Sequence, residues 1–123
     1  MLDELQRTPV AAPILHWWTG TAYETRRAVE IGCYFSVHLQ VARRSNFRTQ
    51  VPLERLLVES DHGWGDPPGV IPHRVAWVEY LLSASLKIDV REVRQRVWQN
   101  FRDVVRLTGT RELLPQEIVR LLP

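Results

Sequence analysis

The sequence predicts an α/β fold with a parallel sheet, and three observations indicate it. Short apolar runs that fit buried strands alternate with longer amphipathic stretches that fit helices. Two strand–helix–strand units follow one another, which favours parallel pairing with right-handed crossovers. The run Cys33-Tyr34-Phe35 is apolar at consecutive positions, as expected for a strand in a sheet that helices cover on both faces.

The three predicted strands are short and apolar. We place them at 13–16, 33–37 and about 56–60, and Pro13 opens the first of them. The segment 38–50 lies between the second and third strands. It is polar and rich in arginine, and we interpret it as a short helix or a loop.

The predicted helices are bounded by residues that favour helix ends. Thr21 and Glu24 have the spacing of a capping box, and Gly32 suits the position just after the last turn. Pro115 is tolerated at the first position of a terminal helix. The predicted helices cover about 21–31, 74–86, 89–107 and 115–122.

Composition indicates one globular domain and no membrane segment. The chain has 123 residues, 45% of them hydrophobic, which is enough for a core. A net charge of +2 is too small to specify a partner. Cys33 is the only cysteine, so an internal disulfide and a multi-cysteine metal site are both excluded. The sequence has no apolar run of about 20 residues and no signal peptide, so we expect a cytoplasmic protein.

Polar side chains lie at the carboxyl ends of two of the predicted strands. His16 follows Ile14-Leu15, and Asp61 follows Leu56-Leu57-Val58-Glu59. A turn-forming sequence comes directly after each. Because ligands bind at the carboxyl ends of strands in parallel α/β sheets, His16 and Asp61 are expected to form two corners of a metal or acid/base site.

Several linked motifs carry a resemblance to a known family. They are Ile14-Leu-His-Trp-Trp-Thr-Gly-Thr21, Gly32-Cys-Tyr-Phe-Ser-Val37, Val51-Pro-Leu-Glu-Arg-Leu-Leu-Val-Glu-Ser-Asp61, and the tail Val90-Arg-Glu-Val with Trp98-Gln-Asn100-Phe. In this order and spacing the chain resembles the TatD-like metal-dependent hydrolases over roughly residues 3–110.

The resemblance implies the carboxyl-terminal part of a TIM-type (β/α)8 barrel, with the three strands as its sixth, seventh and eighth. It implies a divalent metal ion, Mg²⁺, Mn²⁺ or Zn²⁺. His16 matches a metal-ligand histidine, and Asp61 matches the aspartate that contacts the metal and takes a proton from its bound water. The family's His-x-His pair, its glutamate and its second histidine have no counterpart here. Residues 1–123 are therefore expected to form a partial domain that is incomplete as a catalyst by itself.

Further residues near these two positions have alternative interpretations. Glu59 lies on the same strand face as Asp61, so it either supports the site or pairs with an arginine. His62 stands where the family usually has a small residue, and it is either an added ligand or a solvent-exposed side chain. Trp17 and Trp64 flank the two strand ends, where they either line a substrate pocket or pack at the barrel mouth.

The remaining aromatic and polar candidates are expected to be structural. Trp77 and Trp98 fall on apolar helix faces and are predicted to be in the core. His38 is expected to be a loop residue. Asn100 matches a recurrent asparagine of the family and is interpreted as structural.

Three functions are consistent with these patterns. The first is metal-dependent hydrolysis of phosphodiester bonds in DNA, and the second is hydrolysis of a small amide, lactone or ester. The third is a non-catalytic half-barrel, from a truncated reading frame or a split gene. A three-stranded parallel sheet has two unpaired edges, so a homodimer or a second chain that completes the barrel is expected.

Overall fold

The computed structural model describes residues 1–43, 50–61 and 75–122. The described residues form one three-stranded sheet, with β1 at Ile14–His16, β2 at Tyr34–Val37 and β3 at Leu56–Val58. The strands lie in the order β1-β2-β3, and both pairs are parallel. The predicted parallel α/β architecture is therefore confirmed.

The third strand ends earlier than the predicted residue 60. Regular pairing stops at Val58, although the Glu59 N–H still donates to the Val37 carbonyl at 3.0 Å. The chain then turns at Asp61, whose φ of 48° is left-handed. The apolar run in the sequence continues the strand pattern beyond this point, but the change in backbone direction is not visible in it.

Helices precede, connect and follow the strands in the described residues. Their observed bounds are α1 Leu2–Arg7, α2 Ala22–Ile31, α3 Leu39–Ala42, α4 Val75–Leu86, α5 Val90–Thr108 and α6 Gln116–Leu121. The capping box of α2 is complete, because the Glu24 N–H donates to Thr21 Oγ1 and the Thr21 N–H donates to Glu24 Oε2. Gly32 ends α2 with a φ of 93°, a conformation that favours glycine. No helix in these described ranges combines the length and apolarity needed to cross a membrane.

One face of the sheet forms the main core. Leu15, Phe35 and Leu56 are aligned across the three strands, and all are buried. Ala28 from α2 and Val93 from α5 join the same cluster. Residues from two helices therefore cover this face of the sheet.

The two helix tryptophans differ from their predicted burial. Trp77 is 60% exposed, so its prediction as a core residue was wrong. Trp98 is half-buried and meets Phe101 edge-on at 6.0 Å. Helix α4 is apolar on most sides, so its sequence periodicity does not indicate which face is buried.

Asn100 covers the outer edge of β3. Its side chain is buried, with 3% of the residue exposed, and Nδ2 donates to the carbonyls of Leu53 and Leu56 at 2.8 Å each. The Glu59 N–H points to β2, so the carbonyl of Leu56 points to the opposite side of the strand. Helix α5 therefore supplies the hydrogen bonds that a neighbouring strand would otherwise make there.

Asn100→Ala is expected to destabilise the protein by about 2–3 kcal/mol, because two buried carbonyls lose their donor. Urea denaturation followed by circular dichroism would measure the change. Gln99→Ala, at the neighbouring exposed position of α5, is the matched control and should change stability little. Equal stability of the two variants would contradict the role of Asn100 at the edge.

The capping box of α2 should make stability depend on pH. Hydrogen bonds from the Thr21 N–H and then from its hydroxyl lower the pKa of Glu24 below its ordinary value. A depressed folded-state pKa contributes stability at neutral pH, and this contribution is lost as the pH falls through that pKa. Glu24→Gln should therefore be less stable than wild type at pH 7, with a smaller difference at pH 3.

Urea midpoints at the two pH values would measure this effect. The control is Glu30→Gln, which changes an exposed glutamate on the same helix. A difference between wild type and Glu24→Gln that is the same at both pH values would rule out the capping carboxylate as its source.

Candidate functional site

His16, Glu59 and Asp61 converge at the carboxyl edge of the sheet. His16 is the last residue of β1, and its side chain is 61% exposed. Its Nε2 lies 3.2 Å from Glu59 Oε1 and 3.7 Å from Asp61 Oδ1. The structure thus brings together the two residues selected from the strand ends, and Glu59, also a candidate from the sequence, lies beside His16.

The strand register explains this convergence. His16 is paired with Ser36, and Ser36 is paired with Leu57. Glu59 lies two residues after Leu57, so its side chain leaves the same face of the sheet one step nearer the carboxyl edge. A histidine on one outer strand and a carboxylate on the other can then meet across the central strand.

Two residues at this edge have left-handed backbone without being glycine. Trp17, directly after β1, has a φ of 49°, and Asp61 has a φ of 48°. This conformation is uncommon for side chains other than glycine, asparagine and aspartate. Trp17 is therefore the strained position of the two, and such positions cluster at functional sites, where the surrounding structure holds them in place.

The Glu59 carboxylate is held mostly out of solvent. Its side chain is 15% exposed, and Oε2 accepts a short hydrogen bond from Ser36 Oγ. Oε1 is buried and accepts no hydrogen bond within the described part of the chain, although His16 Nε2 lies close to it. Two carboxylates facing one imidazole concentrate negative charge, and this arrangement attracts a cation.

An aromatic stack lies beside these residues. The Trp17 ring stacks on His38 with centroids 5.0 Å apart, and His16 is 6.2 Å from Trp17 on a nearly parallel plane. His38, expected to be a loop residue, lies between β2 and α3, and its Nδ1 accepts a long hydrogen bond of 3.4 Å from the Gln40 N–H. The stack links the ends of β1 and β2.

A groove of about 540 Å³ opens next to His16. Trp17 and Trp18 form part of its wall, together with the first residues of α1. Trp18 is otherwise structural, because its Nε1 donates to Thr25 Oγ1 at 2.8 Å. Its ring lies so close to Gly20 that a Cβ atom at that position would overlap it. Trp17 therefore both packs in the stack and lines a groove.

Comparison with known proteins identifies the family. The sequence model of the TatD related DNase family matches residues 1–106. This chain belongs to the TatD family. The family predicted from the strand-end motifs is thus confirmed, and it is a family of hydrolases that are generally metal-dependent and adopt a TIM-type barrel. No curated protein matches the sequence.

The crystal structure of a TatD family hydrolase from Entamoeba histolytica has a similar fold. The TM-score is 0.65 at 19% sequence identity, and the match covers 83% of this chain. It covers 44% of the E. histolytica chain, so the present chain spans less than half of that relative. At this level of identity the likeness concerns the fold alone.

Not every candidate residue can be placed. His62 and Trp64 lie outside the described residues. Ser36 was not recognised from the sequence, although it is the hydrogen-bond partner of Glu59. The available signal was a hydroxyl residue between Phe35 and Val37 in an otherwise apolar strand, since a buried hydroxyl needs a partner.

The chemistry of His16, Glu59 and Asp61 suits part of a metal site. One imidazole and two carboxylates are ligand types that divalent metals such as Mn²⁺ and Zn²⁺ accept. The buried Oε1 of Glu59, which makes no hydrogen bond to any residue that the structure describes, also fits a position facing a cation. Across residues 1–43, 50–61 and 75–122, however, no three His, Cys, Asp or Glu side chains are arranged to hold a metal ion. These residues therefore fit one side of a metal site rather than a complete one.

Proposed function

We propose that this chain forms the carboxyl-terminal part of a metal-dependent hydrolase that cleaves phosphodiester bonds in DNA. The observation that carries the proposal is the convergence of His16, Glu59 and Asp61 at the carboxyl edge of a parallel sheet. This edge is where barrel enzymes place their chemistry. Membership of the TatD related DNase family supports DNA as the substrate.

His16 Nε2 and Asp61 Oδ1 would hold a divalent ion, Mg²⁺, Mn²⁺ or Zn²⁺. When bound, such an ion supplies Lewis-acid activation of the scissile phosphate and of the attacking water. Asp61 is placed to accept the proton of that water, because its carboxylate lies at the open edge of the sheet. Glu59 Oε1 lies 3.2 Å from His16 Nε2, so this carboxylate faces the same position and would add negative charge beside the ion.

We propose further that β1, β2 and β3 are the sixth, seventh and eighth strands of the barrel. The match of His16 and Asp61 to the family's strand-end motifs supports this position, and the order and parallel direction of the strands agree with three consecutive barrel strands. A catalytic metal centre normally has three or more protein ligands and one open position. The chain would therefore have little activity by itself and would acquire the remaining ligands from other polypeptide.

An apolar cavity supports association with such a polypeptide. It has a volume of about 350 Å³ and lies between the sheet and helices α4 and α5. Ile14, Leu57, Val58, Trp98 and Phe101 are among the residues that line it. Ile14, on β1, is also substantially exposed. A second chain, or a second copy of this chain, that packs apolar side chains here would cover both features.

Removing the metal-binding side chains should abolish metal binding and cleavage together. In an assembly that completes the site, His16→Ala and Asp61→Asn are each expected to weaken Mn²⁺ binding and cleavage of labelled DNA by roughly 100-fold or more, since loss of even an outer partner of a ligand costs 10–100-fold. Calorimetry and a gel-based nuclease assay would measure the two effects.

Asp103→Asn, on the surface of α5, is the matched control for Asp61→Asn. Light scattering on the same samples gives the mass of the active species and shows whether one or two chains form it. Cleavage that persists in Asp61→Asn would contradict the proposal.

DNA binding should require the metal ion. Without a cation, the carboxylates of Glu59 and Asp61 repel the phosphate backbone, so affinity for a short labelled duplex should be low in EDTA and rise when Mn²⁺ is added. Fluorescence anisotropy would measure this rise. In Asp61→Asn, the dependence of DNA affinity on Mn²⁺ should be smaller.

Equal affinity for DNA in EDTA and in Mn²⁺ would argue against a site at this edge. Cleavage of small esters without DNA binding would favour a small-molecule hydrolase.

A further inference from the structure

Ser36 occupies the centre of the sheet, between the strands that carry the candidate site. It lies on β2, pairs with His16 on one side and with Leu57 on the other, and is 7% exposed. Its neighbours Phe35 and Val37 are completely buried. A hydroxyl at this depth needs a hydrogen-bond partner, and Ser36 Oγ donates to Glu59 Oε2, 23 positions further along the chain.

The hydrogen bond fixes more than one oxygen. The two oxygens of a carboxylate belong to one rigid planar group, so holding Oε2 restricts the positions that Oε1 can take. In Glu59 the second oxygen points to His16 Nε2, at 3.2 Å, and makes no hydrogen bond within the described residues. The orientation of Glu59 toward the histidine thus depends on Ser36.

We propose that Ser36 is a positioning residue, which holds the Glu59 carboxylate so that its Oε1 faces His16 Nε2 and the position of the metal ion. Its role in metal binding rests on the proposed function, whereas its effect on the Glu59–His16 contact does not. Ser36 touches no reacting atom and acts through Glu59. Partners of this kind orient the ligands of metal sites, and their loss typically weakens metal binding 10–100-fold.

A merely structural hydroxyl would behave differently. If Ser36 only satisfied a buried polar group, its removal would lower stability but leave Glu59 and His16 in contact. The distance between Glu59 Oε1 and His16 Nε2 and the affinity for Mn²⁺ therefore distinguish the two roles. Thermal stability does not distinguish them, because both roles predict that it falls. Ser83, near the end of α4, offers a matched control. Its Oγ also donates an internal hydrogen bond, at 2.7 Å, to the carbonyl of Ile88 in the loop between α4 and α5.

The test compares Ser36→Ala, Ser36→Thr and Ser83→Ala with the wild-type chain. Crystal structures without added metal give the distance from Glu59 Oε1 to His16 Nε2, and electron paramagnetic resonance gives the Mn²⁺ dissociation constant. In Ser36→Ala we expect the distance to exceed about 4 Å, beyond ion-pair contact. Mn²⁺ binding should be 10–100-fold weaker. Ser36→Thr keeps the hydroxyl and should restore both values, and Ser83→Ala should leave both unchanged.

The outcomes distinguish this inference from the proposed function. A Ser36→Ala structure that retains the 3.2 Å contact overturns the role of Ser36, whatever the activity of the protein. The same conclusion follows if Ser36→Ala binds Mn²⁺ as tightly as wild type. If wild type itself binds no Mn²⁺, the proposed function fails, and the distance measurement alone then decides whether Ser36 positions Glu59.

Discussion

The parallel register of the three strands is the constraint on which the site depends. β2 hydrogen-bonds to both neighbours, and this pairing places His16, Ser36 and Leu57 in one row. A slip of one residue in either strand pair would turn every side chain of that strand to the opposite face. The histidine would then point into the core and the carboxylates would have no partner. The apolar face with Leu15 and Phe35 therefore also fixes the polar edge.

The outer helices make this small sheet possible. An isolated three-stranded parallel sheet leaves unpaired backbone groups at its edges. Asn100 of α5 donates a hydrogen bond to the Leu56 carbonyl at the outer edge of β3. An ion pair between Glu79 and Arg94 connects α4 to α5. Two of the three guanidinium nitrogens of Arg94, Nε and Nη2, donate to the same buried oxygen of Glu79, and these hydrogen bonds raise the pKa of Arg94. The site at one edge is thus supported by polar contacts inside the helical layer.

The sequence predicted those parts of the fold that depend on local patterns. Helix α2 was recognisable because Thr21, Glu24 and Gly32 specify its ends within twelve residues. His16 and Asp61 were recognisable because each follows an apolar strand directly. The link between Ser36 and Glu59 was not predictable, since the tertiary fold determines which distant group a hydroxyl meets. The exposure of Trp77 was missed for a related reason: a helix that is apolar on most sides contains no information about its outer face.

The amino-terminal helix has a practical consequence for handling the protein. Arg27 holds α1 on α2 through Asp3 at 2.7 Å and Gln6 at 2.6 Å, and Leu2 packs into the core. Met1 and Leu2 consequently form part of the groove wall beside His16. A purification tag fused to Met1 would begin at the rim of this groove and would compete with any molecule that enters it. Preparations for binding assays therefore need an amino terminus from which the tag has been cleaved.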